Sequence, residues 1–139
     1  MGNRLAALGL LLGWVVAGSA AGRDQDLAGF IVGSYQLVGK NLDSAATHGG
    51  SAVIARSPAG LNIHRIIDGR TIVGTVHVEQ ATADRIPVVR IRYTDRGTAC
   101  EQTCLVTSDL DNYPRLTCQV YVPGKATSDP GLEAYFPVK

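Results

Sequence analysis

Asp68-Gly69 separates two runs in which apolar and polar residues alternate, Leu61–Ile67 and Arg70–Glu79, and no other feature constrains the fold as tightly. A two-residue Asp-Gly turn takes φ > 0 at both central positions and joins antiparallel strands whose twist it matches. The implied register sets Ile67 opposite Arg70, Arg65 opposite Ile72, Ile63 opposite Gly74 and Leu61 opposite Val76. Side chains alternate across a strand, so each opposed pair shares a face.

A second hairpin closing around residues 80–85 then sets Val76 beside Val89, Gly74 beside Ile91 and Ile72 beside Tyr93. One face carries Leu61, Ile63, Ile67, Ile72, Val76, Val78, Val89, Ile91 and Tyr93, and is expected to form the core. The other carries Asn62, His64, Thr71, Thr75, His77, Glu79, Arg90 and Arg92, and is expected to face water. Gly74 lies between apolar neighbours, where a missing side chain lets a curved sheet bend inward.

The same period of two recurs along the chain, and helical periodicity is missing. Strands are expected near 30–39, 50–56, 60–67, 70–79, 86–93, 103–108, 115–122 and 131–137, after a polar leader over 22–29. Pro58-Ala59-Gly60, Asp95-Arg96-Gly97 and Pro123-Gly124 supply further turn signals. Eight sequential strands with one apolar face predict a single all-β domain over 22–139, an antiparallel up-and-down barrel.

Residues 1–21 have the three parts of a secretory signal: one early cation, Arg4, an apolar run over 5–16, and the small residues Gly18-Ser19-Ala20-Ala21. Cleavage is expected after Ala21. The run is short for a membrane span, and no further apolar stretch follows it. Removing Arg4 from 13 basic residues leaves 12 against 12 acidic ones. A neutral mature chain argues against nucleic acid or an anionic lipid surface as the main partner. The expected home is the periplasm or the external medium.

Gly33-x-Tyr35-x-Leu37-x-Gly39-x-Asn41-x-Asp43-Ser44, then Gly50-Ser51-Ala52-Val53-Ile54, then Gly60-Leu61-x-Ile63-x-Arg65-x-Ile67-x-Gly69 resembles small exported bacterial β-domains of calycin-like barrel type. Ala45 and Ala46 depart from that pattern, which tends to carry polar or aromatic residues there. The resemblance implies a barrel and no particular chemistry.

Three cysteines fall in the last third of the chain. A hairpin with its turn near Asp111 sets Cys104 opposite Cys118, within bridging range. An exported chain favours such a bridge. Cys100, expected in a polar loop over 97–102, leaves two alternatives open: a bridge from Cys100 to Cys118, or no bridge at all.

Catalytic and metal motifs are missing. No Gly-x-Ser-x-Gly, Ser-x-x-Lys or His-Glu-x-x-His pattern occurs. His64 and His77 fall about 13 Å apart at strand rise, too far to share an ion, and His48 is expected in a loop. Asp109-Leu110-Asp111-Asn112-Tyr113-Pro114 alternates acids, but Tyr113, Pro114 and Val120 stand where a calcium loop needs a ligand, Gly and Glu. An Asx-rich hairpin turn accounts for it. No metal, cofactor or catalytic residue is expected.

Arg65 is the exception on the apolar face. A cation between Ile63 and Ile67 needs a partner or a route to water. One account has it reaching out at the barrel rim while stacking on Tyr93. The other has it binding an anionic ligand group in the barrel mouth, with Tyr93 and Tyr35 as walls. The expected function is therefore non-catalytic binding of a small ligand or an extracytoplasmic partner. The alternative is inhibition of an extracellular hydrolase through loops such as Asp109–Pro114.

Overall fold

The structure, a computed structural model, describes residues 20–108 and 111–139. The expected signal over 1–21 lies almost wholly outside them. Eight strands follow one helix: α1 (Ala20–Phe30), β1 (Gly33–Lys40), β2 (Thr47–Ser57), β3 (Gly60–Ile67), β4 (Arg70–Ala81), β5 (Ile86–Asp95), β6 (Thr98–Ser108), β7 (Pro114–Tyr121) and β8 (Gly131–Pro137). Each strand pairs antiparallel with the next, and β1 pairs with β8 to close the barrel. The all-β up-and-down barrel expected from alternation is the fold observed.

The Asp68-Gly69 hairpin has the expected register, with Ile67 opposite Arg70 and Arg65 opposite Ile72. Both turn residues have positive φ, 49° and 74°. The β4–β5 register needs correction. Gly74 faces Tyr93, Val76 faces Ile91 and Val78 faces Val89. The turn centre sits one residue later than expected, over 82–85, because Thr82 and Arg85 both adopt left-handed φ. That slips the pairing by two residues, so every side chain keeps its face.

The polar leader is also corrected. It is helical, and α1 lies against β4. No β-branched residue interrupts Ala20–Phe30. The Ile31 N–H donates to the Leu27 carbonyl, and both side chains join the core. Thus α1 sits at the barrel end where β1 and β3 begin. No helix among the described residues is long and apolar enough to cross a membrane.

The interior is apolar towards α1, where Ile31, Ile54, Ile63, Val76, Val89 and Leu116 are buried. Towards the other end it turns polar, with Arg65, Gln102 and Glu133 buried. Three inward glycines let the wall close there. A Cβ on Gly39 would stand 2.4 Å from the Leu132 carbonyl, on Gly50 2.1 Å from the Ile66 carbonyl, and on Gly74 2.5 Å from the Arg92 carbonyl. Cys104 and Cys118 face each other on β6 and β7 and are bridged, with Cα atoms 4.0 Å apart. Cys100 is free.

Candidate functional site

Alternation along four strands aims polar side chains into the half of the barrel away from α1. Arg65 comes from β3, His48 from β2, Gln102 from β6 and Glu133 from β8. Glu133 is the hub. Its Oε1 accepts from Arg65 Nη2 and from His48 Nε2, the latter at 3.0 Å. Its Oε2 accepts from Gln102 Nε2 at 2.7 Å and from the Tyr135 hydroxyl at 2.8 Å. Four donors saturate the carboxylate. The Arg65 guanidinium carbon also stands 4.4 Å from the centre of the Tyr93 ring, whose hydroxyl accepts from Gln102 Nε2 at 3.2 Å.

This pairing explains how two charges persist in the interior. Burial alone would push the Glu133 carboxyl up, but the His48 hydrogen bond, the Arg65 charge and the Tyr135 and Gln102 hydrogen bonds bring it below its ordinary value. Burial alone would lower Arg65, and the Tyr135 and Glu133 oxygens reverse that to a net rise. Both groups are ionised across the physiological range.

The rim account of Arg65 holds for its stacking on Tyr93 and is corrected for its reach to water. Its side chain is 2% exposed and does not reach out to solvent. It forms instead the floor of a cavity of about 220 Å³ at the barrel end away from α1. Tyr93, Ile67, Ile72 and Val120 line the walls, and Arg70, paired with Asp95, stands at the mouth. Arg65 and Arg70, both in the lining, each bury an Nε that has no hydrogen-bond partner among the described residues. A buried donor left unpaired costs about 1–3 kcal/mol, which a ligand acceptor would recover.

Of the three ligand residues expected from sequence, Arg65 and Tyr93 meet in this cavity, and Tyr35 does not. Tyr35 lies near the α1 end, where its hydroxyl donates to the Ile31 carbonyl at 2.6 Å. Its ring meets that of Tyr135 edge-on at 6.1 Å. Cys100 is not in a loop. The two-residue turn at Arg96-Gly97 lets β6 begin at Thr98, and Cys100 pairs with Tyr93 and lines the cavity. Burial first, then the nearby Asp95 charge, pushes its thiol up. His48 likewise lies in β2 rather than a loop, with its Nδ1 2.5 Å from Asn41 Oδ1.

Sequence reasoning missed Glu133, Gln102 and His48 as interior groups. Parity held the signal for two of them: once Cys104 faces inward, so does Gln102, and once Tyr135 does, so does Glu133. Ser108 and Pro114, which flank the β6–β7 connection, pair at the α1 end, away from the cavity. Asp109 and Leu110 fall outside the described residues, and Asp111 pairs with Lys139.

The outer wall has its own charged ladder. Arg92 donates to both Glu79 and Glu101 at 2.7 Å, and Arg90 to Glu101 at 2.9 Å. All four groups find partners within it. Among the described residues, no three His, Cys, Asp or Glu side chains are grouped to hold a metal ion.

Comparison with protein families, characterised proteins and solved structures returns no match for this chain. The site's own chemistry therefore carries the functional reading.

Proposed function

We propose that this is an exported, non-catalytic barrel that binds a small molecule in the cavity above Arg65. The observation that carries this reading is the buried, unpartnered Nε of Arg65, a residue that lines a cavity. A donor that served only the fold would be expected to have an acceptor, since nearly all buried polar groups do. The ligand must then supply an acceptor oxygen. It must also be small, because the cavity falls below the 300–1,000 Å³ of drug-sized sites.

The reading is non-catalytic because the cavity's candidate acid and nucleophile are both restrained. Glu133 is held ionised by four donors, and the Cys100 thiol is pushed up rather than activated. Export is supported by the signal-like residues 1–21 and is compatible with the Cys104–Cys118 bridge. The resemblance to calycin-like barrels belongs to the same reading.

Cys100 supplies the test. It is the sole free thiol and lines the cavity. A panel of small acids, amides, alcohols and sugars is screened for slower Cys100 alkylation and a raised Tm. At least one compound should do both. If none does while the thiol still reacts freely, the cavity is not a binding site.

A further inference from the structure

We infer that the ligand is a short carboxylate with a branched or straight aliphatic body, its carboxylate directed at Arg65 and Arg70; this rests on the cavity-binding reading above. Donors and walls carry the argument separately.

The two unpartnered donors belong to guanidinium cations on neighbouring strands, β3 and β4. A carboxylate offers two acceptor oxygens and no donor, which matches two orphan N–H groups in kind and number. An alcohol or an amide brings donors of its own. The cavity's buried carboxylate has no room for them, because Glu133 already accepts four hydrogen bonds. An amine would need an unsaturated anion at the floor, and the carboxylate there, Glu133, has its acceptor sites filled. Charge adds to the match. Arg96 and Lys40 also line the cavity, so its four cations, with Arg65 and Arg70, outnumber the three carboxylates of Asp68, Asp95 and Glu133.

The walls select the rest of the molecule. Ile67, Ile72 and Val120 are inward-facing and almost fully buried, and none offers a polar atom from its side chain. An aliphatic body of a few carbons would cover them. A sugar or amino acid would set hydroxyl or ammonium groups against them at a desolvation cost.

The test uses five probes: acetate, butanoate, 3-methylbutanoate, 3-methylbutanamide and 3-methylbutan-1-amine. Each is titrated against the whole oxidised protein, following Cys100 alkylation and the arginine Nε–H signals in NMR spectra. Butanoate and 3-methylbutanoate should protect Cys100 and shift two arginine signals, with acetate at least tenfold weaker. The amide and the amine should leave both readouts unchanged. Arg65→Met and Arg70→Met should each weaken the acids by tenfold or more. Arg70 sits at the half-exposed mouth, so its variant stays informative if Arg65→Met fails to fold. Equal protection by the amide, or protection by the amine, would overturn the carboxylate assignment and leave cavity binding standing. Failure of all five also overturns it, and the broader reading then falls only if the larger panel fails too.

Discussion

Arg65 on β3 and Glu133 on β8 are 68 residues apart in sequence, yet they form an ion pair inside the barrel with side chains only 2% and 3% exposed. Their strands are not neighbours in the sheet, so the pair spans the lumen. It ties the wall at β8 to the floor of the cavity and holds the Arg65 guanidinium over Tyr93. Structure and candidate function therefore share one residue.

Removing either charge should be costly, and removing both less so. Glu133→Gln keeps the volume but leaves Arg65 without its counter-charge, and breaking a buried pair this way costs about 3–5 kcal/mol. Combining Arg65→Met with Glu133→Leu replaces both charges by apolar groups and should recover much of that loss. Urea unfolding of Arg65→Met, Glu133→Leu and their combination would measure the coupling. Additive single-variant costs would show that the two residues do not act as a pair.

Acid stability follows from the same group. The folded Glu133 carboxyl lies below its ordinary value of 4.5, so the unfolded chain takes up its proton at higher pH than the folded one. The stability it contributes is complete above that ordinary value and is lost as pH falls through the folded value. Glu79, hydrogen-bonded by Arg92, shifts in the same direction. The urea midpoint should therefore drop as the solution is acidified below 4.5, and Glu133→Gln should drop with a shallower slope. Equal slopes in the two proteins would show that Glu133 is not a source of the acid sensitivity.

The disulfide should matter to the fold while the third cysteine should not. Cys104 and Cys118 close a loop of 14 residues in sequence separation, for which the chain-entropy account gives about 3 kcal/mol. Cys104→Ala with Cys118→Ala should lose up to that amount in urea unfolding. Cys100→Ser, on a half-buried position with no covalent partner, should change stability by under about 1 kcal/mol. A larger loss from Cys100→Ser than from the bridge variant would reverse this assignment.

Local rules carried the sequence reading as far as hairpins and faces. Asp68-Gly69 names its own turn type, so the β3–β4 register was legible to the residue. Thr82-Ala83-Asp84-Arg85 contains neither Gly nor Asn, and nothing in it marks two left-handed positions. The β4–β5 pairing was therefore displaced, while parity preserved the core. The lumen network was hidden for a different reason. Glu133, Gln102 and His48 look like surface residues by type, even where parity turns them inward, and only closure of the barrel brings them to Arg65. Helix α1 escaped notice because Leu27 and Ile31 are too few to show a helical period.

Gly39 offers the sharpest test of how that closure was achieved. It faces His48 on one side and Glu133 on the other across two strand pairings. A Cβ there would lie 2.4 Å from the Leu132 carbonyl oxygen, 2.8 Å from Glu133 Cγ and 2.8 Å from His48 Nε2. The first contact is with backbone and cannot be relieved by a rotamer change, so β1 and β8 must separate. Overpacking of this kind costs about 1–3 kcal/mol. Gly49 is the matched control, one residue beyond His48 on β2, where the nearest atom to an added Cβ is the Leu37 carbonyl at 3.7 Å. Gly39→Ala should lower the urea midpoint and, by shifting Glu133, move the Arg65 Nε–H signal. Gly49→Ala should leave that signal in place and hold or slightly raise stability, since Ala restricts the unfolded chain more than Gly. If Gly39→Ala is tolerated as well as Gly49→Ala, the close approach of β1 and β8 is not what seats the Glu133 hub.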